Sequence, residues 1–316
     1  MIQLVNYDPQ YRESWNALNA QAKNGHFFFD RNFMEYHSDR FHDASCLFLY
    51  EQTPIALLPA NFSGDTLYSH QGLTFGGLVL DQRATSVRVL SMWQLLLADL
   101  RDRGIKRLVY KPLPLIYHRS PAQEDLYALF RHDAKLVRRD VTTTIDYGAP
   151  GPQSKRRQRG VKKAAKAKIT FAESRDWQAY WTVLSEALSV KHAVAPTHTA
   201  EEIAYLAERF PNAIRLFTAQ SGDAILAGVV MFETARVAHA QYIAASPEGR
   251  DVGALDGLFN VLIERYRSSS RFFDFGISNE DNGRVLNEGL VTQKEEFGGS
   301  TAVHDVYEIA LHSTAV

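Results

Sequence analysis

The order of secondary-structure signals in this chain is written twice, and that duplication restricts its fold more than any single motif does. In the second half, residues 168–171 read as a short strand. Asp176 then precedes Trp177, Tyr180, Trp181, Leu184 and Leu188, an apolar face at three- and four-residue spacing that predicts a capped helix. Thr199 followed by Glu202 is a capping box opening a second helix that ends near Phe210-Pro211. Three strands follow at 214–219, 224–233 and 237–244, then an amphipathic helix over 253–266, a buried strand at 272–276, a helix around 285–294 and a strand around 302–311. The first half repeats that order. A strand at 2–5 leads to Asp8-Pro9 capping a helix, and Asp30 opens a second helix carrying Phe33, Met34, Tyr36 and Phe41. Strands at 47–50, 55–61 and 66–70 precede a helix from 86 to 103 that stops at Gly104, a strand at 108–111, a helix near 123–131 and a strand at 136–146. The expectation is an α+β protein of two tandem units, 1–150 and 151–316, each a mixed, mostly antiparallel sheet flanked by helices, the second opening on a basic linker helix.

Charge is distributed unevenly around that expected boundary. Residues 151–168 hold eight basic residues and no acidic one, although the whole chain of 316 residues carries a net charge of only −1. The remainder is therefore acidic, which excludes a general nucleic-acid binder while leaving a local site for a polyanion. No run approaches the roughly 18 apolar residues of a membrane-spanning helix, and the opening residues lack a basic stretch followed by an apolar one. A cytoplasmic protein is expected. The only cysteine, Cys46, lies in an apolar run and reads as a buried thiol. No H-E-x-x-H pattern is present, and no metal is expected.

Three segments carry a family resemblance. Ser154 heads Lys155-Arg156-Arg157-Gln158-Arg159-Gly160-Val161-Lys162-Lys163-Ala164, which resembles the S-x-x-R-R-x-x-K-K-A segment of the Fem-type aminoacyl and peptidyl transferases of bacterial cell-wall synthesis. Phe273-Asp274-Phe275-Gly276 resembles that family's D-F-G strand, and Gln293-Lys294-Glu295-Glu296-Phe297-Gly298-Gly299 its closing F-K-x-x-F-G-G. The element order is similar to that of the Gcn5-related N-acetyltransferases (GNAT), of which Fem-type proteins are tandem forms. In detail the chain looks more like the acetyltransferase-like relatives found with bacterial surface-polysaccharide genes. The resemblance implies transfer of an acyl group from acyl-coenzyme A to an amine of a sugar-containing envelope or polysaccharide precursor. Its alternatives are an aminoacyl-tRNA donor and a non-catalytic binding member of the fold.

Acyl transfer to an amine requires that the amine lose a proton, that the carbonyl be polarised and that the reactants be held together. His239 is a candidate base with a near-neutral intrinsic pKa, or else a histidine bonded to backbone. Gln241 shares its strand face, and Tyr242 is expected to point oppositely. Asp274 in an apolar strand must be paired. Glu280, after Ser278 and Asn279 at that strand's end, is either an acid/base group or a helix cap. For the donor's diphosphate, the resemblance points to the stretch 246–254 with Gly249, Arg250 and Gly253. For a sugar-diphosphate acceptor it points to Arg156, Arg157, Lys162 and Lys163; a tRNA donor would use the same charges. Lys294 is expected to meet the acceptor or pair with Asp274. In the first half, His70 and Gln71 hold the place of His239, and Lys111, Tyr117 and His118 are candidate lining residues of a cleft between the units.

Overall fold

The computed structural model describes residues 1–192 and 195–311, with the backbone alone for 190–192. It divides into two units: Met1–Asp140 with Asn279–Val285 and the chain from Val303 onward, and Val141–Ser278 with Leu286–Ala302. No single cut separates them. The boundary expected at 150 falls inside the second unit, and two late segments return to the first.

In the second unit the strands run in the order Thr170–Ser174, Ile214–Ser221, Ala224–Glu233, Val237–Ala245, Phe272–Ile277, then residues 141–146. Neighbours are antiparallel except Val237–Ala245 and Phe272–Ile277, which are parallel. Parallel strands need a crossover, and the helix Ala254–Tyr266 supplies it. Its Leu258, Phe259 and Leu262 pack on Phe217, Val229, Phe273 and Phe275 to form the core. The helix Trp177–His192 presses the Tyr180 ring onto Gly228, where an added Cβ would come within 2.4 Å of it. Both expected caps are present. Asp176 Oδ1 accepts from the Ala179 N–H at 2.9 Å, and Thr199 with Glu202 forms the full capping box. The helix expected around 285–294 begins later, at Glu288, because the Asn287 side chain caps it.

The first unit splits into two sheets. Ile2–Asn6, Cys46–Tyr50, Thr53–Leu58 and Val79–Leu80 form one, all antiparallel. His42–Asp43, Asn61–Ser63, Thr66–Tyr68 and Arg107–Tyr110 form the other together with residues 303–310, and only Thr66–Tyr68 and Arg107–Tyr110 are parallel. The single strand expected at 55–61 is thus two. Pro59 has no N–H to continue the ladder, and the Ala60 N–H turns to Ser45 Oγ at 3.1 Å. The second helix expected after Asp30 is a single turn, Arg31–Met34, followed by the 3-10 turn Glu35–His37. The core gathers on the helix Ser86–Asp102, with Trp93, Leu96 and Leu97 buried against Phe48, Leu58 and Leu108. Cys46 is part of it, and burial holds its thiol well above the ordinary range.

Candidate active site

The parallel ladder of the second unit is only three rungs long: Val237 with Phe272, Ala238 with Phe273, and His239 with Asp274. Beyond the last rung the strand continues to Ala245 with no ladder partner on that side among the described residues, leaving an open backbone edge. Two irregularities mark the opening. Val230 pairs with Tyr242 and Met231 with Ala240, so Gln241 is an extra residue, a bulge. Gly276, with φ +77°, takes the left-handed conformation that favours glycine; an added Cβ there would lie 3.3 Å from His239 Cε1.

The side chains at this opening are tightly connected. Asp274 is fully buried, and its Oδ2 lies 2.8 Å from His239 Nδ1. Its Oδ1 accepts from the Thr142 hydroxyl and, at 3.1 Å, from the Gly276 N–H. An ionised carboxylate here makes Nδ1 the protonated nitrogen and leaves Nε2 basic. His239 Nε2 lies 3.1 Å from the Gln241 side-chain oxygen, and a turn of that amide presents its NH2 to the nitrogen instead.

The bulge also overturns the expectation for Tyr242. Ala238 and Ala240 face the helix Ala254–Tyr266, and after the extra residue so do Ile243 and Ala245. His239 and Tyr242 therefore share the opposite face. There the Tyr242 hydroxyl meets His198 Nδ1 at 2.5 Å, and its ring packs edge-on to Trp181, whose Nε1 holds the His198 carbonyl at 2.9 Å. Burial pushes the Tyr242 hydroxyl up to about 12, so it keeps its proton at neutral pH. Strict alternation along the strand hides this pair from sequence, because a bulge leaves no composition signal.

Lys294 is buried and donates to the Gly276 carbonyl at 2.8 Å, the Ile277 carbonyl at 2.7 Å and Ser278 Oγ at 3.0 Å. All three of its donors are spent on the end of the Asp274 strand. Burial lowers it to about 8, with Asp274 acting in the opposite sense. Phe297 stacks on Phe275, and Gly298 lies against the backbone of Gly151. The closing motif thus clamps the strand. Glu280 is exposed and belongs to the first unit.

The stretch expected to hold a donor diphosphate is a six-residue helix, Pro247–Val252. Ser246 Oγ takes the Gly249 N–H at 3.0 Å, and the Gly253 N–H goes to the Arg250 carbonyl. Glycine is required at 249 because a Cβ would meet the Leu226 carbonyl oxygen at 2.1 Å, and at 253 because of φ +73° and the Gly160 carbonyl. Arg250 donates to the Ala245 carbonyl at 2.9 Å. The Gly249 and Gly253 N–H groups and the Arg250 side chain are thus spent on packing and capping, while the helix Ala254–Tyr266 starts at Gly253 with no side-chain cap.

The basic stretch is the helix Lys155–Lys166. Arg157 is buried within it, pairing with Asp256 at 2.5 Å and Glu296 at 3.0 Å, a structural role in place of the expected phosphate contact. Arg156, Lys162 and Lys163 are exposed, with Arg156 at 3.9 Å from Glu296. In the first unit, His70 is buried in a left-handed conformation, φ 69°, beside the His37 ring, and burial lowers it to about 3. The Gln71 side chain accepts from Asn61 Nδ2 at 2.8 Å. Tyr117 packs on Phe75, and His118 Nε2 bonds the Leu113 carbonyl at 2.9 Å.

The second unit thus combines a short parallel ladder that parts at a bulge with a crossover helix behind it. Residues 153–282 match the family model described as the acetyltransferase (GNAT) domain. No curated protein matches the sequence. Among solved structures, FemX is similar with a TM-score of 0.66 at 10% identity, over 98% of this chain and 97% of that one. The C-terminal domain (DUF2156) of a putative lysylphosphatidylglycerol synthetase from Agrobacterium fabrum gives 0.62 at 12%, over 95% and 91%. A tandem GNAT protein from the clavulanic acid biosynthesis pathway gives 0.53 at 12%, over 99% of each chain. At these identities the likeness is one of fold: a tandem GNAT-like architecture.

Among the described residues no helix is long and apolar enough to cross a membrane, and no group of three or more His, Cys, Asp or Glu side chains is arranged to hold a metal ion.

Proposed function

We propose that this protein is an N-acyltransferase acting in the cytoplasm on an amine of a sugar-containing envelope or polysaccharide precursor. The observation that carries the reading is the His239–Asp274 dyad at the point where the parallel strands part. The amine nitrogen attacks the acyl carbonyl carbon as His239 Nε2 takes its proton, and buried Asp274 stabilises the imidazolium. The tetrahedral centre then collapses, the bond from carbonyl carbon to leaving group breaks, and the Tyr242 hydroxyl delivers a proton to the departing atom. Solvent then takes the proton from His239 Nε2 and returns one to the Tyr242 oxygen, so that both groups end the cycle as they began it. Backbone N–H groups on the open edge of 240–245 supply donors for the carbonyl oxygen.

Acyl-coenzyme A is the donor supported by the open edge, where an amide-bearing arm can add as a further strand. An aminoacyl-tRNA is the second reading, favoured by the closed stretch 246–253 and the exposed cations of the basic helix. The test is transfer of labelled acetyl from acetyl-coenzyme A to a panel of nucleotide-linked amino sugars, with H239A as control. Product from wild type and not from H239A supports the first reading. Product only with charged tRNA supports the second, and binding of an amino sugar without turnover on either donor would make the protein a non-catalytic member of the fold.

A further inference from the structure

Gln241 is the residue that the bulge adds to its strand. Val230 pairs with Tyr242 and Met231 with Ala240, which leaves no rung for the residue between them. The interruption sets an amide beside two groups of opposite proton chemistry. The Gln241 side-chain oxygen lies 3.1 Å from His239 Nε2. At the Tyr242 hydroxyl burial is the largest influence, and the Gln241 amide is among the groups that work against it by favouring the ionised form. One side chain thus bears on both the base and the acid of the proposed reaction.

An amide has two unlike ends, and each protonation state of the base fits one of them. With Asp274 ionised and Nδ1 carrying its hydrogen, neutral His239 keeps a lone pair on Nε2. An amide oxygen facing that lone pair is repelled, and an NH2 group facing it is held. Once Nε2 has taken a proton the preference reverses. Nε2–H then donates to the Gln241 oxygen, and the NH2 is left to act on the Tyr242 oxygen. The contact at 3.1 Å serves either orientation. Among the described residues, the titratable groups around this pair are Asp274 on the neighbouring strand, Tyr242 on the same strand, His198 beyond Tyr242 and Lys294 behind Asp274.

We propose that Gln241 is a positioning residue that couples the two proton transfers. Its amide offers NH2 to neutral His239 and gives way to the incoming amine. It returns with its oxygen on Nε2–H and its NH2 on the Tyr242 oxygen as the leaving group is protonated. One proton passes from the amine to Nε2 and one from Tyr242 to the departing atom, while the amide donates and accepts without exchanging any. The acid role of Tyr242 comes from the acyltransferase reading, on which this coupling rests; the contact between Gln241 and His239 does not.

The test pairs NMR of labelled histidine in the unliganded full chain, with the His239 signal assigned by its absence in H239A, with acyl-transfer kinetics against pH. Q241E sets a second carboxylate at Nε2. The His239 titration midpoint is expected to rise by about one unit or more. The acidic limb of the kcat/KM profile should move up with it, so that the rate recovers as the pH is raised. Q241M keeps the length of the side chain without either polar end, and is expected to lower kcat roughly tenfold at every pH, with unchanged melting temperature. An unmoved midpoint in Q241E, wild-type kcat in Q241M, or a change in KM alone would each overturn the proposal. A moved midpoint in Q241E, with no acyl transfer by wild type from any donor, would instead overturn the acyltransferase reading and the Tyr242 half of the coupling, leaving the contact with His239 in place.

Discussion

His239 and Asp274 are partners twice over, as the last rung of the parallel ladder and as side chains bonded through Nδ1 and Oδ2 at 2.8 Å. Backbone pairing sets the rung, and the rung sets the distance between imidazole and carboxylate. The dyad is therefore rigid before any substrate arrives, which is the condition for low reorganisation during proton transfer.

That rigidity gives separable expectations for the two residues. H239A removes the base and is expected to lower kcat by about 100-fold or more. D274N keeps the size of the side chain but favours the wrong imidazole tautomer and leaves the Thr142 hydroxyl and Gly276 N–H facing an amide. Its expected loss is of similar order, with KM for the amine little changed. Steady-state kinetics on both variants decides the matter, since equal effects on KM alone would mean that the dyad only binds.

Tyr242 calls for a different readout. Y242F keeps the ring against Trp181 and removes only the hydroxyl at His198. The expected outcome is a fall in kcat of roughly ten- to a hundredfold, smallest with activated donors whose leaving group needs no proton. With the phenol pushed up to about 12, the wild-type rate should show no loss from this group between pH 7 and 9. An equal loss across donors of different leaving-group basicity would assign Tyr242 to packing.

The contrast between the two residues shows what sequence carries and what it does not. Helix caps at Asp176 and Thr199 are local side-chain-to-backbone bonds, and they were legible with their partners. Asp274 was recognisable as needing a partner because burying a bare carboxylate is expensive. The orientation of Tyr242 was not legible, since one inserted residue at Gln241 reverses every later side chain on the strand. Arg157 was misread for a related reason. A basic helix advertises charge, but which of its positions faces Asp256 and Glu296 depends on the docking of that helix, through Gly160 and Gly253, onto the helix Ala254–Tyr266.

Arg157 accordingly has a stability role that can be measured. R157M leaves Asp256 without its ion-pair partner and Glu296 with only the exposed Arg156 at 3.9 Å, and is expected to cost about 3 kcal/mol. Adding D256L should recover part of that loss, because removing both charges also removes their desolvation. Urea unfolding of the single and double variants provides the cycle. A neutral R157M would place the ion pair among the many that contribute nothing.

The first unit supplies a pH test with a definite sign. Asp125 is buried, and its Oδ2 accepts at 2.7 Å from Tyr110, whose oxygen in turn accepts from the Leu78 N–H at 2.6 Å. Burial raises the Asp125 carboxyl from 3.8 to about 6, outweighing those hydrogen bonds. The native state therefore holds this proton more tightly than the unfolded chain does. Its stabilising contribution is fully present below pH 3.8 and is lost as the pH rises through about 6. At pH 7 the native state carries a buried charge whose cost is on the order of 2–3 kcal/mol. D125N keeps an oxygen for the Tyr110 hydroxyl and removes the charge. It is expected to raise the melting temperature at pH 7 by a few degrees and to have little effect at pH 4.5. Calorimetry of both proteins at the two pH values measures the difference, and a shift of equal size at both would show that charge at Asp125 is not what the variant changed.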